Sequence, residues 1–321
     1  MDIPLRVSSF KVDEADRLGE ELESVLNGIG VSIKPGSDVE RMCLAPSEIV
    51  NYVAGQGISS DATYRQYVDA ATLAELATRI VTARGHPSFA TLLPHLELLN
   101  QGDPRQAGRA RETDQAARKL FELFTALLAM RFSNSVELEH PVRGSDGNPD
   151  VVVEFGGQRW GIACKVPTSA NPESLAQNLD KAVSQVVEAG VHAGVVMFNL
   201  KNVIPPESYW KADPEDPTAR RFVLVREPAE LPKRAIKDVE NLWRGVESHV
   251  GPDVFKTLLL RPPCAPVVLS YLQVMAPVVH DDDVIAATTS RFVACYQIGS
   301  RSMQEEAFIS ALHKSAVDAA A

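Results

Sequence analysis

The sequence predicts an α/β fold whose central sheet contains strands of mixed direction. Three observations lead to this class. The first hundred or so residues have helical periodicity. The middle region follows the order helix, strand, strand, strand, helix, strand, and the tail mixes strands with helices. The predicted organisation is a helical domain over residues 1–102, a core over 103–204 and an α+β extension over 205–321 that can pack on the core. A chain of 321 residues, 45% of them apolar, is long enough for two or three domains.

Composition narrows the class of protein. The net charge of −10 argues against a surface that attracts nucleic acid everywhere, although it leaves room for a local basic groove. The sequence contains no apolar run of about 18 residues, and acids stand where a signal peptide needs a basic and then an apolar stretch. The four cysteines form no CxxC pair, as expected of buried thiols in a reducing compartment. We therefore expect a cytoplasmic protein without a membrane partner.

The first hundred residues are expected to be helical. The stretch DEADRLGEELESVLNGIG has helical spacing and a helix-ending signal at Asn27-Gly28. A longer amphipathic helix follows over residues 61–85 and is stopped by Gly85-His86-Pro87. A third helix is predicted at about residues 88–102, interrupted or kinked by Pro94.

The core elements follow in an alternating order. The residues TDQAARKLFELFTALLAMRF predict a strong helix, and SVELEHPV alternates as a strand does. Strands are predicted at 149–155 and 158–166, then a helix over 171–190 and a buried strand within 191–203. The last strand, helix and strand should form a right-handed parallel unit. In the tail, helical patterns at 229–251 and 302–320 enclose strand patterns at 265–279 and 290–298.

A hairpin turn at Gly156-Gly157 fixes the register of two of these strands, because two-residue turns need positive φ. Pairing outward from the turn places Val153 opposite Trp160 and Asp150 opposite Ala163. Asp150 and Lys165 then point to the same side as diagonal neighbours, about 7–8 Å apart. A register slip of one residue would separate them. An ion pair at the strand ends and a metal-dependent active site are both compatible with this arrangement.

At these residues the chain resembles the restriction-endonuclease-like nucleases of the PD-(D/E)xK superfamily. The resemblance covers about residues 112–200 and includes the α-β-β-β-α-β order. Pro149-Asp150 matches the first part of the motif, and Ala163-Cys164-Lys165 stands where the (D/E)xK triplet belongs. The resemblance implies a restriction-endonuclease-like core in which Asp150 binds a divalent metal and Lys165 orients water and stabilises the charge on phosphate.

The resemblance also implies which other residues complete the site. Glu122, in the preceding helix, occupies the place of a further metal-binding acid. Ala163 replaces the motif acid, and some family members supply that acid from the following helix, where Asp180 is the first candidate and Glu173 the second. Gln177 in the same helix is expected to orient water or phosphate.

The resemblance implies a nuclease that hydrolyses DNA with Mg²⁺ or Mn²⁺, with RNA as the other substrate, and bacterial proteins of this kind often defend the cell against foreign DNA. The alternative is a degenerate nuclease fold that serves as a protein-interaction or assembly module, which Ala163 and the acidic composition favour. A homodimer or a partner protein is compatible with either interpretation.

Overall fold

The computed structural model describes residues 7–9, 12–55, 60–106, 114–142, 147–204, 209, 230–279 and 285–318. Within these residues the chain is an α/β protein with one mixed sheet. The strands are β1 (Val7–Ser9), β2 (Val136–Leu138), β3 (Val151–Phe155), β4 (Gln158–Lys165), β5 (Ala193–Asn199), β6 (Cys264–Val279) and β7 (Ile285–Gln297). Their order across the sheet is β1-β7-β6-β5-β4-β3-β2.

The described helices cover both faces of this sheet. They are α1 (Val12–Gly28), α2 (Asp38–Gly55), α3 (Ser60–Ala83), α4 (Leu93–Leu96), α5 (Gln115–Ala129), α6 (Pro172–Glu188), α7 (Glu230–Val250), α8 (Pro252–Leu259) and α9 (Met303–Val317). Short 3-10 turns flank α4 on both sides, and Pro94 stands at its start, as the predicted interruption required. None of the helices described is both long enough and apolar enough to cross a bilayer.

The β3–β4 hairpin has the predicted register. Gly156 and Gly157 have φ angles of 58° and 74°, which two successive residues other than glycine rarely adopt. Val153 lies opposite Trp160, and the pairing continues to Val151 opposite Ile162. These four apolar side chains are buried on one face of the sheet, so their burial holds the register in place.

The two helices that flank the hairpin begin at clear capping residues. The Asp114 side chain accepts a hydrogen bond from the backbone N–H of Ala117 and caps α5. The Asn171 side chain accepts from the N–H groups of Glu173 and Ser174, and Pro172 occupies the first position of α6. Strand β4 pairs with β5 in parallel, and α6 connects them, as the sequence predicted.

The tail continues the sheet of the middle region. Strand β6 pairs in parallel with β5 and antiparallel with β7, and β1 pairs with β7. One apolar cluster joins the N-terminal helices, α5, α9 and one face of the sheet, while another joins α6, α7 and α8 to the other face. The N-terminal region, the core and the tail therefore share one sheet, whereas their independence as domains stays a prediction.

Candidate active site

A polar cleft opens where β3 begins and β4 ends. Because the two strands are antiparallel, these ends meet at the same edge of the sheet. Helix α5 supplies one wall and α6 another, and the cleft has a volume of about 570 Å³. Besides apolar groups, its lining contains charged and amide side chains: Gln101, Gln115, Arg118, Lys119, Glu122, Glu139, Asp150, Lys165, Asn178 and Gln185.

Asp150 lies at the bottom of this cleft and is only 4% exposed. Its Oδ2 accepts a hydrogen bond of 2.7 Å from the backbone N–H of Cys164, which fixes the carboxyl group against the end of β4. Burial, and after it the nearby charge of Glu122, raise the pKa of Asp150 to about 7. Asp150 therefore exchanges a proton close to neutral pH.

Glu122 reaches the same point from α5 and is also buried. His95 Nε2 lies 3.3 Å from Glu122 Oε2, and burial lowers the pKa of His95 to about 4, so its neutral ring donates this hydrogen bond. Burial raises the pKa of Glu122, while the Lys119 ammonium opposes that effect. The side chains of Glu122 and Asp150 also interact with each other, so the two carboxyl groups influence each other's pKa.

Two lysines accompany the carboxyl pair. Lys119 Nζ lies 2.8 Å from Glu122 Oε1 and 3.9 Å from Asp150 Oδ1. Burial alone would lower the pKa of Lys119, but the two carboxylates outweigh it and raise this pKa. The Lys165 ammonium instead donates a hydrogen bond to Gln185 Oε1, and Gln185 Nε2 donates to the Asn148 carbonyl at 2.9 Å.

The structure brings Asp150, Glu122 and Lys165 together, three of the residues that the sequence singled out. The alternative of a simple ion pair does not describe them, because among the described side chains Asp150 and Lys165 do not bond to each other. Asp150 instead accepts a hydrogen bond from the Cys164 N–H, and Lys165 donates one to Gln185.

The structure does not bring Gln177 and Asp180 to the cleft. Gln177 is exposed and its Nε2 lies 3.5 Å from Glu173 Oε1, while Asp180 pairs with Arg261 at 3.0 Å on the outer side of α6. The reason is the phase of the helix: Asn178 and Gln185, seven residues apart, face the cleft, and positions 177 and 180 are rotated away from them. Gln185 thus takes the place expected for Gln177.

Sequence reasoning missed three residues of the site. Lys119 stands one helical turn before Glu122, and this spacing is a signal that could have predicted the contact. Gln185 shares a fourfold row with Gln177 and was visible as part of that row. His95 gave no local signal, because it comes from the interrupted helix about 27 residues upstream of Glu122.

Glu122 and Asp150 present carboxyl oxygens in the cleft, and oxygen ligands are those that Mg²⁺ and Mn²⁺ prefer. Glu122 and Asp150 both lie within 4 Å of the Lys119 ammonium, so their oxygens are close enough to share one ion. The donor set is small: among the residues that the structure describes, no group of three or more His, Cys, Asp or Glu side chains is arranged to hold a metal. Such a site needs water or substrate oxygens to complete the coordination shell.

Comparisons of the chain with protein-family models, with curated proteins and with solved structures found no match.

Proposed function

We propose that this protein is a metal-dependent nuclease that hydrolyses DNA phosphodiester bonds at the cleft between α5 and α6. The observation that carries the proposal is the convergence of Asp150, Glu122 and Lys165 at one edge of the sheet. These are the residues that the PD-(D/E)xK resemblance assigns to metal binding and charge stabilisation. The order α5-β2-β3-β4-α6-β5, with β3 and β4 antiparallel and β4 and β5 parallel, agrees with the restriction-endonuclease-like core that the resemblance implies.

Each side chain has a role that follows from its position. Asp150 and Glu122 would hold Mg²⁺ or Mn²⁺, which when bound lowers the pKa of its water and offsets negative charge on the phosphate. Lys165 contributes positive charge beside that phosphate, where the reaction develops negative charge. Gln185 accepts a hydrogen bond from the Lys165 ammonium and so fixes its direction. The Asp150 carboxyl group is in turn held by the Cys164 N–H.

The cleft is also suited to a phosphodiester chain. Arg118, Lys119 and Lys165 place three cationic side chains along it, in a protein whose net charge is −10. Amide side chains from Gln101, Gln115 and Asn178 line the same space and can donate hydrogen bonds to phosphate oxygens. Glu122, Glu139 and Asp150 line the same cleft, so its formal charge is zero whereas that of the whole chain is −10. A bound divalent ion would make the cleft positive and so favourable for a phosphodiester.

The second candidate function is a protein-interaction module that has lost its chemistry. One observation favours it: Ala163 is fully buried, so no side chain reaches the cleft from the position of the motif acid. With only two carboxyl groups, metal binding would be weaker than in a site with three.

Cleavage assays separate the two functions. Purified protein is incubated with supercoiled plasmid, single-stranded DNA or RNA, with Mg²⁺ or Mn²⁺ and with chelator. We expect metal-dependent cleavage of DNA by the wild type, and a loss on the order of 10³-fold in Asp150→Asn and Lys165→Met, because each removes several kcal/mol of transition-state stabilisation.

Matched controls lie on α8, where Asp253 and Lys256 are exposed and away from the cleft. Asp253→Asn and Lys256→Met change the same residue types and should cut as the wild type does. Cleavage that survives Asp150→Asn would show a contaminating nuclease or a different site. Absence of cleavage and of metal binding in the wild type would favour the interaction module.

A further inference from the structure

We propose that the Lys119 ammonium occupies the cation position of the carboxyl pair, and that a divalent ion binds Glu122 and Asp150 only by displacing it. This inference rests on the proposed function, because it concerns the regulation of the same site. Lys119 then acts as an internal competitor that keeps the centre closed until the metal concentration is high enough.

The geometry of α5 puts Lys119 in this position. Lys119 and Glu122 are three residues apart on one helix, so their side chains lie on the same face. Lys119 Nζ contacts Glu122 Oε1 at 2.8 Å and reaches to 3.9 Å from Asp150 Oδ1, so the ammonium sits between the two acids. A metal that used both carboxylates would need the same space.

The exposure of the three side chains shows which of them can leave. The side chains of Glu122 and Asp150 are 7% and 6% exposed, and each is fixed by a further hydrogen bond, from His95 and from the Cys164 N–H. The Lys119 side chain is 30% exposed, and its ammonium group is carried on a flexible four-carbon stem. On displacement, the Lys119 ammonium therefore moves away from the two acids toward the open part of the cleft, while the carboxyl groups keep their positions.

The charge of the cluster gives the reason for competition. When both carboxyl groups are ionised, as metal ligands must be, their two negative charges are balanced by the ammonium groups of Lys119 and Lys165 without any metal. Adding a divalent ion to this set would leave two uncompensated positive charges in a largely buried place, which is unfavourable. If Lys119 moves away, the remaining groups and the ion carry a single positive charge, which matches the single negative charge of a phosphodiester.

The position of Lys165 makes Lys119 the specific competitor. The Lys165 ammonium is held by Gln185 on the side of α6, and the Lys119 ammonium is held by Glu122 on the side of α5. Removal of the Lys119 charge should therefore strengthen metal binding, whereas loss of Lys165 should chiefly weaken cleavage.

The test is Mn²⁺ binding by the full-length protein, measured by titration calorimetry and by the loss of the free-ion electron paramagnetic resonance signal. Lys119→Met, which keeps the length of the side chain and removes its charge, should bind Mn²⁺ roughly 10-fold more tightly than the wild type, a coupling of ordinary size. Mn²⁺ should also raise the melting temperature of this variant more than that of the wild type. Lys119→Gln repeats the measurement in case the methionine variant folds poorly, and Lys256→Met is the control.

The outcomes separate the inference from the proposed function. If wild type and Lys119→Met bind Mn²⁺ equally, or the variant binds more weakly, and Asp150→Asn abolishes binding, Lys119 does not compete although the metal site is real. If no variant binds Mn²⁺ in a manner that depends on Asp150, the proposed function fails and the inference fails with it.

Discussion

Among the described residues, a buried cluster of opposite charges at α3 and β7 contrasts with the cluster in the polar cleft between α5 and α6. In the first, Glu75 and Arg79 of α3 meet Arg291 of β7, with side chains that are at most 8% exposed. In the second, Glu122 and Asp150 meet Lys119 and Lys165. The clusters differ in their cations, which are guanidinium groups in the first and ammonium groups in the second.

In the Glu75 cluster both carboxylate oxygens are bound by guanidinium groups. Arg79 donates to Oε1 through Nε at 3.1 Å and Nη2 at 3.0 Å, and Arg291 donates to Oε2 at 2.6 Å. Arg79 also donates to the Ser315 and Ala316 carbonyls at the end of α9. The cluster therefore ties α3, the sheet and α9 together, and its acid is held by planar guanidinium groups that are themselves buried.

In the Glu122 and Asp150 cluster both acids contact the ammonium group of Lys119, whose side chain is 30% exposed. The pKa of both acids is raised by burial, which shows that their charges are incompletely compensated. Perturbed carboxyl groups that line a cleft indicate a functional site, whereas a saturated ion pair indicates structure. Three predictions sharpen this comparison.

The largest effect on stability is expected in the saturated cluster. Glu75→Gln leaves two buried guanidinium groups without a counter-charge, and we expect the free energy of unfolding to fall by about 3–5 kcal/mol. Urea denaturation measures this change. Glu240→Gln, at an exposed pair with Arg244 3.8 Å apart on α7, is the control and should change it by less than about 1 kcal/mol. Equal effects of the two substitutions would remove the distinction between a structural and a surface pair.

A substitution in the cleft, Asp150→Asn, is expected to change the free energy of unfolding in the opposite direction. Because the pKa of Asp150 is raised from 3.8 to about 7, the folded protein keeps a proton that the unfolded chain releases, and this group destabilises the fold increasingly as the pH rises from about 4 to 7. Asp150→Asn removes that penalty. Its stability relative to the wild type, measured without metal, should increase by about 2–3 kcal/mol between pH 5 and pH 8.

The control for this prediction is Asp253→Asn, whose acid is exposed. Its stability relative to the wild type should change little over the same range. A difference between Asp150→Asn and the wild type that stays constant with pH would contradict the raised pKa.

The smallest effect concerns the group that positions Lys165. Gln185→Met removes the acceptor of the Lys165 ammonium, and we expect cleavage to fall roughly 10-fold with little change in stability. Gln177→Met makes the same change on the exposed side of α6 and tests the sequence prediction directly. If Gln177→Met lost cleavage while Gln185→Met cut as the wild type does, α6 would have to be rotated about its axis relative to this structure.

Much of the fold could be predicted because its local signals agree with its packing. The Gly156-Gly157 turn, the buried alternation of Val151 and Val153, and the capping residues of α5 and α6 all act within a few residues of one another. The same signals predicted that Asp150 and Lys165 meet at one edge of the sheet. Strand bounds in the tail were predicted within a few residues, except that β7 begins earlier, at Ile285.

The remainder depended on long-range contacts. The rotation of α6 about its axis is set by its packing on β4, β5 and α7, so the sequence could show the row of Gln177 and Gln185 but not which end faces the cleft. Asp180 is held outside by Arg261, a residue 81 positions away. His95 approaches Glu122 through the packing of the interrupted helix on α5, and no local pattern predicts such a contact.

The most direct measurement is a crystal structure of the protein grown with Mn²⁺, in which anomalous scattering locates the ion. The expected result is one ion within about 2–2.5 Å of oxygens of both Asp150 and Glu122, with the Lys119 ammonium moved away from them. An ion bound elsewhere would contradict a metal-dependent centre in this cleft. An ion on both acids with the Lys119 ammonium still between them would contradict the displacement of Lys119.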